Sequence, residues 1–415
     1  MALEVEQVGD STINLNVAAV AASLYSESGY DLFGNRRDEG HRWQEGFAEL
    51  GLELAPRTFD DGGLYGQLSV MGTFTRGDGD AGGFATGGEE DVDIEDAYLG
   101  YRHDRVRLGN ASWSLDASAG RQVITFGNGF LVASDGLSFG DTLGDDFDRG
   151  GAYYLAGREA FDKTASIKAS NDTWTHQLAW IASDNAAQAE TEFGALAVQR
   201  RHTGGLVELL YLRGLDVEER FATSTQLERD GMDTFSLRVE QSLGDALSLR
   251  GEYAHQDKTT QENAWYLEPS YAFKEVPWQP EVALRFTRFS EEWDPLFYGN
   301  TAGYGTWFQG EVAGSYAGPF NTNADVWHLA LRAQPSEQLS LGALYFDFDS
   351  RDTTHRPDMG GRELNLYAEW MPTEWLYVSP LVGWYDPDRS AAEGGTQLGG
   401  DGTSLHAQFI LGVFF

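Results

Sequence analysis

The chain has 415 residues, of which 41% are hydrophobic and 13% aromatic, with 50 glycines, no cysteine and a formal net charge of −36 at pH 7. The lack of cysteine excludes disulfide frameworks, thiolate nucleophiles and cysteine-ligated metals, and the strong negative charge argues against nucleic acid as a partner. No apolar run approaches the roughly 18 residues that a membrane helix needs, so only a closed barrel of strands could carry this chain across a bilayer.

The first predicted strand lies close to the amino terminus, where Ile13, Leu15 and Val17 alternate with Asn14 and Asn16. Alternation with a period of two is typical of a strand with one apolar face. No plug domain is expected ahead of it, which disfavours the class of large plugged transporters. The other predicted strands lie near residues 47–54, 64–74, 92–103, 112–124, 161–170, 173–183, 193–201, 205–215, 232–242, 245–255, 262–273, 279–291, 324–334, 337–349, 361–371, 374–386 and 403–415.

The connections between these strands alternate in length along the chain. Short connections include the hairpin-forming pair Asn171-Asp172, and long ones include residues 216–231, 292–323 and 387–402. Short periplasmic turns and longer extracellular loops are typical of transmembrane barrels. The sequence therefore predicts an all-β, antiparallel transmembrane β-barrel of about 18 strands, which takes up residues 1–415 as a single domain.

The last predicted strand, Thr403 to Phe415, places Leu405, Phe409 and Leu411 on one face and His406 and Gln408 on the other. An aromatic carboxyl terminus on such a strand resembles the signal that the barrel-insertion machinery of the bacterial outer membrane reads. We therefore expect the protein in the outer membrane of a Gram-negative bacterium. The alternative is an edge strand of a soluble sandwich that happens to end the chain.

If the apolar face of each strand meets lipid, the alternate residues line a lumen, and many of these are charged. Strands between residues 232 and 334 place a band of arginines there, whereas strands elsewhere carry acids, so the wall would set up a transverse field. Interior ion pairs without a role in selectivity are the alternative. The predicted pore-lining residues on these strands are Arg238, Arg250, Arg285, Arg332, His328, Glu240, Glu252 and Glu369.

Arg121 is a further candidate for the lumen. It shares the parity of the outward residues Trp113 and Leu115, so it reaches the lumen only if Gly120 marks a β-bulge.

The segment from 125 to 160 is too long for a passive turn and contains many glycines. We expect it to fold inward and to narrow the pore. Its acids Asp141, Asp145 and Asp146 could ligate Ca²⁺, although their spacing fits neither an EF-hand nor a nonapeptide repeat. No other cofactor is expected.

Enzyme motifs are absent from the sequence. There is no G-x-S-x-G, no H-E-x-x-H and no P-loop, so we expect a protein that is not an enzyme. A hydrolase at the barrel rim, built around His176, is the one enzymatic alternative; an interfacial histidine near a strand start is the simpler interpretation.

Three short motifs resemble the alginate-export family of outer-membrane porins. They are Gly120-Arg121-Gln122 followed by Phe126-Gly127-Asn128-Gly129, Phe161-Asp162 with Trp174 in the return strand, and Pro277-Trp278-Gln279-Pro280 ahead of Arg285. The resemblance implies an 18-stranded channel with an arginine-rich lumen that passes a polyuronate such as alginate or another anionic solute.

Together these patterns predict a passive channel for a hydrophilic, anionic solute, either a polyuronate or a small organic anion. The expected partners are outer-membrane lipid and lipopolysaccharide and the solute or anionic polysaccharide itself, with no nucleic acid, and the barrel is expected to be a monomer. The alternative function is a surface receptor or structural barrel whose acidic loops bind metal.

Overall fold

The computed structural model describes residues 3–8, 11–299 and 310–415. Nineteen strands are present in these ranges. The first ten are β1 Leu3–Val8, β2 Ser11–Ser26, β3 His41–Pro56, β4 Gly63–Gly77, β5 Glu90–Leu108, β6 Ala111–Gln122, β7 Phe161–Ser170, β8 Trp174–Ala182, β9 Glu192–His202 and β10 Gly205–Asp216. The others are β11 Asp233–Leu243, β12 Leu247–Asp257, β13 Gln261–Ala272, β14 Glu281–Phe289, β15 Ala324–Ser336, β16 Leu339–Ser350, β17 Gly361–Thr373, β18 Leu376–Pro387 and β19 Ser404–Phe414.

Strands β2 to β19 form a closed, antiparallel barrel of 18 strands, in which each strand pairs with its neighbours in sequence and β19 pairs with β2. The predicted fold class and strand number are confirmed. The extra strand β1 pairs with residues 11–15 of β2, below the stretch of β2 that pairs with β19. Sequence reasoning missed β1 because it began the strand pattern at Ile13.

In the described ranges, helical structure is limited to single turns in the connections. They are Asp141–Leu143, Asp145–Phe147, Ala186–Gln188, Ser224–Leu227, Ala313–Ala317 and Ala391–Glu393. None of the helices in the part of the chain that the structure describes is long and apolar enough to cross a membrane.

The alternation of residue types sets which side of the barrel wall each side chain occupies. Leu50 is 56% exposed and Leu178 is 59% exposed on the outer wall, whereas the inward His328 and Glu363 are buried. An outer surface of leucine, valine and aromatic side chains is favourable in contact with lipid but costly in contact with water. The outer face is therefore the lipid-facing surface.

The ends of the barrel differ in the length of their connections. The turn after β7 is short because Asn171 Oδ1 accepts hydrogen bonds from the backbone N–H groups of Thr173 (2.9 Å) and Trp174 (2.8 Å). At the opposite end lie long connections at residues 123–160 and 290–323, although residues 258–260 there form a tight link. We call these the short-turn end and the long-loop end.

Candidate pore constriction

The loop that follows β6 forms a tight hairpin-like tip inside the barrel. Phe126 N–H donates to the carbonyl of Val132 (3.0 Å), and Gly129 N–H donates to the carbonyl of Phe126 (3.1 Å). Gly127 and Gly129 have φ values of 62° and 84°, a region that favours glycine because it has no Cβ. The glycines of the F-G-N-G motif therefore allow the chain to reverse within a few residues.

This loop tip, residues 126–132, touches inward side chains of the arginine-bearing wall. Asn128 Nδ2 donates to the hydroxyl of Tyr266 on β13 (3.1 Å), and the ring of Phe130 lies 5.3 Å from that of Tyr266. At Gly127 an added Cβ would come within 3.0 Å of Arg238 Nε. The tip thus meets the wall far from β6 and β7, the strands from which the loop emerges.

A second loop holds the tip in place. Phe297, in the connection between β14 and β15, accepts a hydrogen bond from Ala133 N–H (2.7 Å) and donates one to the carbonyl of Leu131 (3.1 Å). Gly299 N–H donates to the carbonyl of Gly129 (2.9 Å). These main-chain bonds pair two segments that are far apart in the sequence.

The returning part of the first loop is fastened to the wall on β5. Arg158 donates to Asp91 (2.7 Å) and Asp93 (2.8 Å), and its guanidinium is almost fully buried. Glu95 Oε1 accepts from the backbone N–H groups of Glu159 and Ala160, both at 2.7 Å. Charged hydrogen bonds of this kind are stronger than neutral ones, so the loop is held firmly at this point.

The segment 310–323 contacts the same loop from the other side of the lumen. The hydroxyl of Tyr154 donates to Glu311 Oε2 (2.5 Å) and accepts from Gln408 Nε2 on β19 (2.7 Å). Glu363 on β17 accepts from the backbone N–H groups of Val312 (3.0 Å) and Ala313 (2.9 Å). Two loops therefore fill part of the lumen toward the long-loop end.

The β-bulge on which the placement of Arg121 depended is present. The register of β6 against β7 shifts between Gly120 and Gln122, and Gly120 has a φ of 129°. The side chain of Arg121 consequently points inward, where it pairs with Asp184 (2.6 Å) and Asp162 (3.3 Å).

The predicted inward arginines on β11 to β15 lie on one arc and differ in exposure. The side chain of Arg332 is 50% exposed and that of Arg250 is 26% exposed, and both lie toward the short-turn end of their strands. Arg238 is 6% exposed, next to the loop tip, and Arg285 is 2% exposed. Guanidinium groups thus become less accessible from the short-turn mouth toward the loop tip.

Each of these arginines has a carboxylate close by. Arg250 Nε donates to Glu268 (2.5 Å), Glu268 also lies 3.6 Å from Arg285, and Arg332 donates to Glu369 (2.8 Å). Glu240 pairs with Arg238, which also binds Glu208. Pairing of this kind reduces the attraction that each arginine offers to a passing anion without removing it.

Two of the predicted pore-lining residues have mainly structural contacts. Glu252 is buried and accepts from Ser236 on the neighbouring strand. The ring of His328 stacks on Phe346 at 4.2 Å, opposite Arg285 in the register of β14 and β15. Both face inward, but neither is accessible enough to be met first by a solute.

Acids and amides line the facing arc on β3 to β6. Asp96 accepts from Gln67 Nε2 (3.0 Å) and Ser69 Oγ (3.1 Å), and Tyr65 donates to Asp116 (2.5 Å). Strand β13 lies nine strands away from β4, which is half of the way around the 18-stranded barrel. The acidic and arginine-bearing arcs therefore face each other across the lumen.

The acids that could ligate Ca²⁺ are not brought together as a ligand set. Asp141 accepts from Thr86 Oγ1 (2.9 Å), and Asp146 lies 3.7 Å from Arg220. Asp141 begins one helical turn, and Asp145 and Asp146 lie in the next. Among the residues for which the structure gives positions, no group of three or more His, Cys, Asp or Glu is placed to hold a metal ion.

His176 lies on the outer wall between aromatic rings. Its ring centroid is 5.9 Å from those of both Trp113 and Trp174. This is the environment of an interfacial histidine, and it is not that of a general base in a polar site.

Sequence reasoning missed several residues that shape the constriction, above all Asn128, Arg158 and Tyr266. Asn128 and Arg158 lie in a loop, where no periodicity reports which way a side chain points. Tyr266 could have been found, because it has the inward parity of Glu268 on β13.

Solved structures with the same architecture exist. OccAB4 of Acinetobacter baumannii matches 97% of this chain and 98% of its own, with 10% identity and a TM-score of 0.59. A BenF-like porin of Pseudomonas fluorescens Pf-5 gives the same values, and OccK7 (OpdD) of Pseudomonas aeruginosa matches 98% of this chain and 99% of its own, with 13% identity and a TM-score of 0.57. This chain has the porin fold.

No family model and no curated protein sequence matches the chain. The resemblance to the alginate-export family therefore rests on the short sequence motifs alone. At identities this low, the similarity of the solved porins establishes the architecture of the barrel, and the solute has to be argued from the lumen itself.

Burial raises the pKa of two carboxyls in the loops. Burial, with the nearby charge of Glu95, raises the pKa of Glu159 from 4.5 to about 7, and burial raises that of Glu311 to about 7 despite its bond from Tyr154. A raised carboxyl pKa favours the folded contacts when the group is neutral, so this stabilisation is complete below pH 4.5 and is lost as the pH rises through about 7.

We therefore expect the loops to loosen and the single-channel conductance to rise as the pH is raised through about 7. Current recordings on both sides of that pH measure the effect. The double variant Glu159→Gln and Glu311→Gln should show a flatter profile, because glutamine stays neutral throughout. An equally steep profile in that variant would assign the pH dependence to other groups.

Proposed function

We propose that this protein is a monomeric outer-membrane channel for the passive passage of a hydrophilic organic anion. The observation that carries the proposal is the arc of arginines on β11 to β15, whose exposure falls from Arg332 through Arg250 to Arg238 beside the loop tip. Arginine presents a planar fork of donors that fits a carboxylate, and it keeps its charge at every physiological pH.

The paired acids suit passage rather than capture. A solute crosses a channel quickly only when each site attracts it modestly and several sites follow one another. Glu369 beside Arg332 and Glu268 beside Arg250 weaken each site, so a carboxylate can exchange from one guanidinium to the next. The acidic arc opposite repels the anion and keeps it near the arginines.

The constriction favours a small solute over a polymer. The loop tip contacts Tyr266 on the far wall, and the segment at Glu311 holds the same loop on the other side. A short organic anion needs only a narrow path beside these contacts, whereas a polyuronate such as alginate needs a continuous wide one. The polyuronate remains the more specific alternative, and it is supported by the sequence motifs. One of the similar solved structures is named as a BenF-like porin, which agrees with a channel.

Swelling of liposomes that contain the purified barrel tests the proposal. We expect a small organic carboxylate to enter faster than its amide of equal size, and an oligouronate to enter much more slowly. Faster entry of the oligouronate would favour a polyuronate as the natural solute. Equal rates for the carboxylate and its amide would show that the arginines do not select the solute by its charge.

A second candidate function follows from the same loops. A barrel whose lumen is blocked by residues 123–160 and 310–323 would serve as a surface receptor or structural protein. Liposomes with correctly folded barrel that stay impermeable to every solute would favour this function over transport.

A further inference from the structure

A groove of about 600 Å³ lies at the long-loop end of the barrel, on strands β2, β3, β4 and β19. Its outward lining includes Ser23, Gln44, Ala407 and Phe409. Most outward positions here carry small or polar side chains, while Phe409 is 49% exposed beside them. The groove therefore offers an apolar edge and a polar floor on the surface that faces lipid.

Two arginines project into this groove from the outer wall. The Arg42 guanidinium lies 5.5 Å from the ring centre of Tyr25 and forms no salt bridge within the part of the chain that the structure describes, while the Arg42 backbone N–H donates to Asp78 Oδ2 (2.9 Å). Arg76 donates to the backbone carbonyls of Thr75 (3.0 Å) and Glu89 (2.6 Å) and pairs with Glu90. The Glu90 side chain is 74% exposed, so water screens this ion pair and a phosphate can compete with Glu90 for Arg76.

An arginine on a lipid-facing wall is costly unless an anion meets its guanidinium at the membrane interface. The long-loop end is where β2 and β4 end and where β3 and β19 begin. Both arginines therefore lie at the level of one headgroup layer of the membrane. Phosphate is the anion that this layer supplies in quantity, and guanidinium binds it through short, charge-assisted hydrogen bonds.

We propose that the groove binds one phosphorylated lipid of the outer leaflet, with its phosphates on Arg42 and Arg76 and an acyl chain along Phe409. Gln44 and Ser23 supply neutral polar contacts to the sugar or glycerol part of the headgroup. The site lies outside the lumen, so it does not depend on the channel function proposed above.

Native mass spectrometry of the detergent-solubilised barrel with added lipid A tests the site. We expect one tightly bound diphosphorylated lipid A on the wild-type protein and about tenfold weaker binding after each lost guanidinium–phosphate contact, in Arg42→Gln and Arg76→Gln. Glu90→Gln should bind more tightly, because it releases Arg76 for the phosphate.

Arg362→Gln is the matched control. Arg362 also projects outward at the long-loop end of its strand, but it pairs with Asp347 (3.0 Å) and does not line the groove. Its loss should leave binding unchanged. Heat-modifiable migration on gels shows that each variant is folded.

Three results would overturn the site. They are undiminished binding in the double variant of Arg42 and Arg76, equal binding of dephosphorylated lipid A, and an equal loss of binding in Arg362→Gln. A barrel that conducts no solute but still binds the lipid would contradict the channel proposal and would still support the lipid site.

Discussion

Replacing Arg250 and Arg332 together by glutamine is expected to weaken block of the channel by a small carboxylate by roughly tenfold or more for each arginine, since a hydrogen bond to a charged group contributes about 1.5–3 kcal/mol. These two guanidinium groups are the accessible ones on the arc. The reversal potential in a salt gradient should also shift toward cations, because Glu369 loses its partner and Glu268 keeps only Arg285. Single-channel recording measures both effects.

Two single variants serve as controls for this result. Glu369→Gln removes the acid beside Arg332 and should strengthen carboxylate block, whereas Arg362→Gln, on the outer wall, should change nothing. Unchanged block in the double arginine variant would show that the solute does not follow this arc, and that the contacts of the loop tip decide selectivity.

Shortening the loop tip by removing Gly127 to Leu131 is expected to raise the single-channel conductance severalfold. The deletion removes the contact of Asn128 with Tyr266, the contact of Phe130 with the same ring and the main-chain bond at Gly129. Conductance depends on the narrowest part of the pore, so removal of the tip should enlarge it more than any single side-chain change.

A cross-link tests whether the tip must also move. The chain has no cysteine, so Val132→Cys with Phe297→Cys places the only thiols in the protein on two residues that form a β-bridge. Oxidation should hold conductance at the wild-type level or below it, and reduction should return any lowered conductance to the wild-type level.

For the deletion of Gly127 to Leu131, wild-type conductance would place the constriction elsewhere in the barrel.

The barrel itself was predictable from the sequence because its physical constraint is repeated in every strand. Charged side chains cost several kcal/mol when they face lipid, so alternation fixes which side of the wall a residue occupies. That rule also placed Arg238, Arg250 and Arg285 inside, where the structure has them. Gly120 marked the bulge that turns Arg121 inward, since glycine inside a strand often marks such a break.

The length and glycines of residues 125–160 predicted a loop that folds inward, but the contacts that form the constriction could not be predicted in the same way. Its contacts join residues far apart in the sequence, such as Asn128 with Tyr266 and Ala133 with Phe297, and no periodic pattern records which loop meets which wall. The calcium site at Asp141, Asp145 and Asp146 stays a prediction that rests on closeness in sequence, and among the described residues no group of three or more His, Cys, Asp or Glu is placed to hold a metal ion.

Current recording from single wild-type barrels in a planar bilayer tests the central claim most directly. We predict stepwise conductance that a small organic carboxylate interrupts in a concentration-dependent way, more strongly when it is added at the short-turn side, where Arg332 and Arg250 are accessible, and that the amide of equal size leaves unaffected. Folded barrels without stepwise conductance, or equal interruption by the carboxylate and its amide, would contradict a channel that binds anions along its arginine arc.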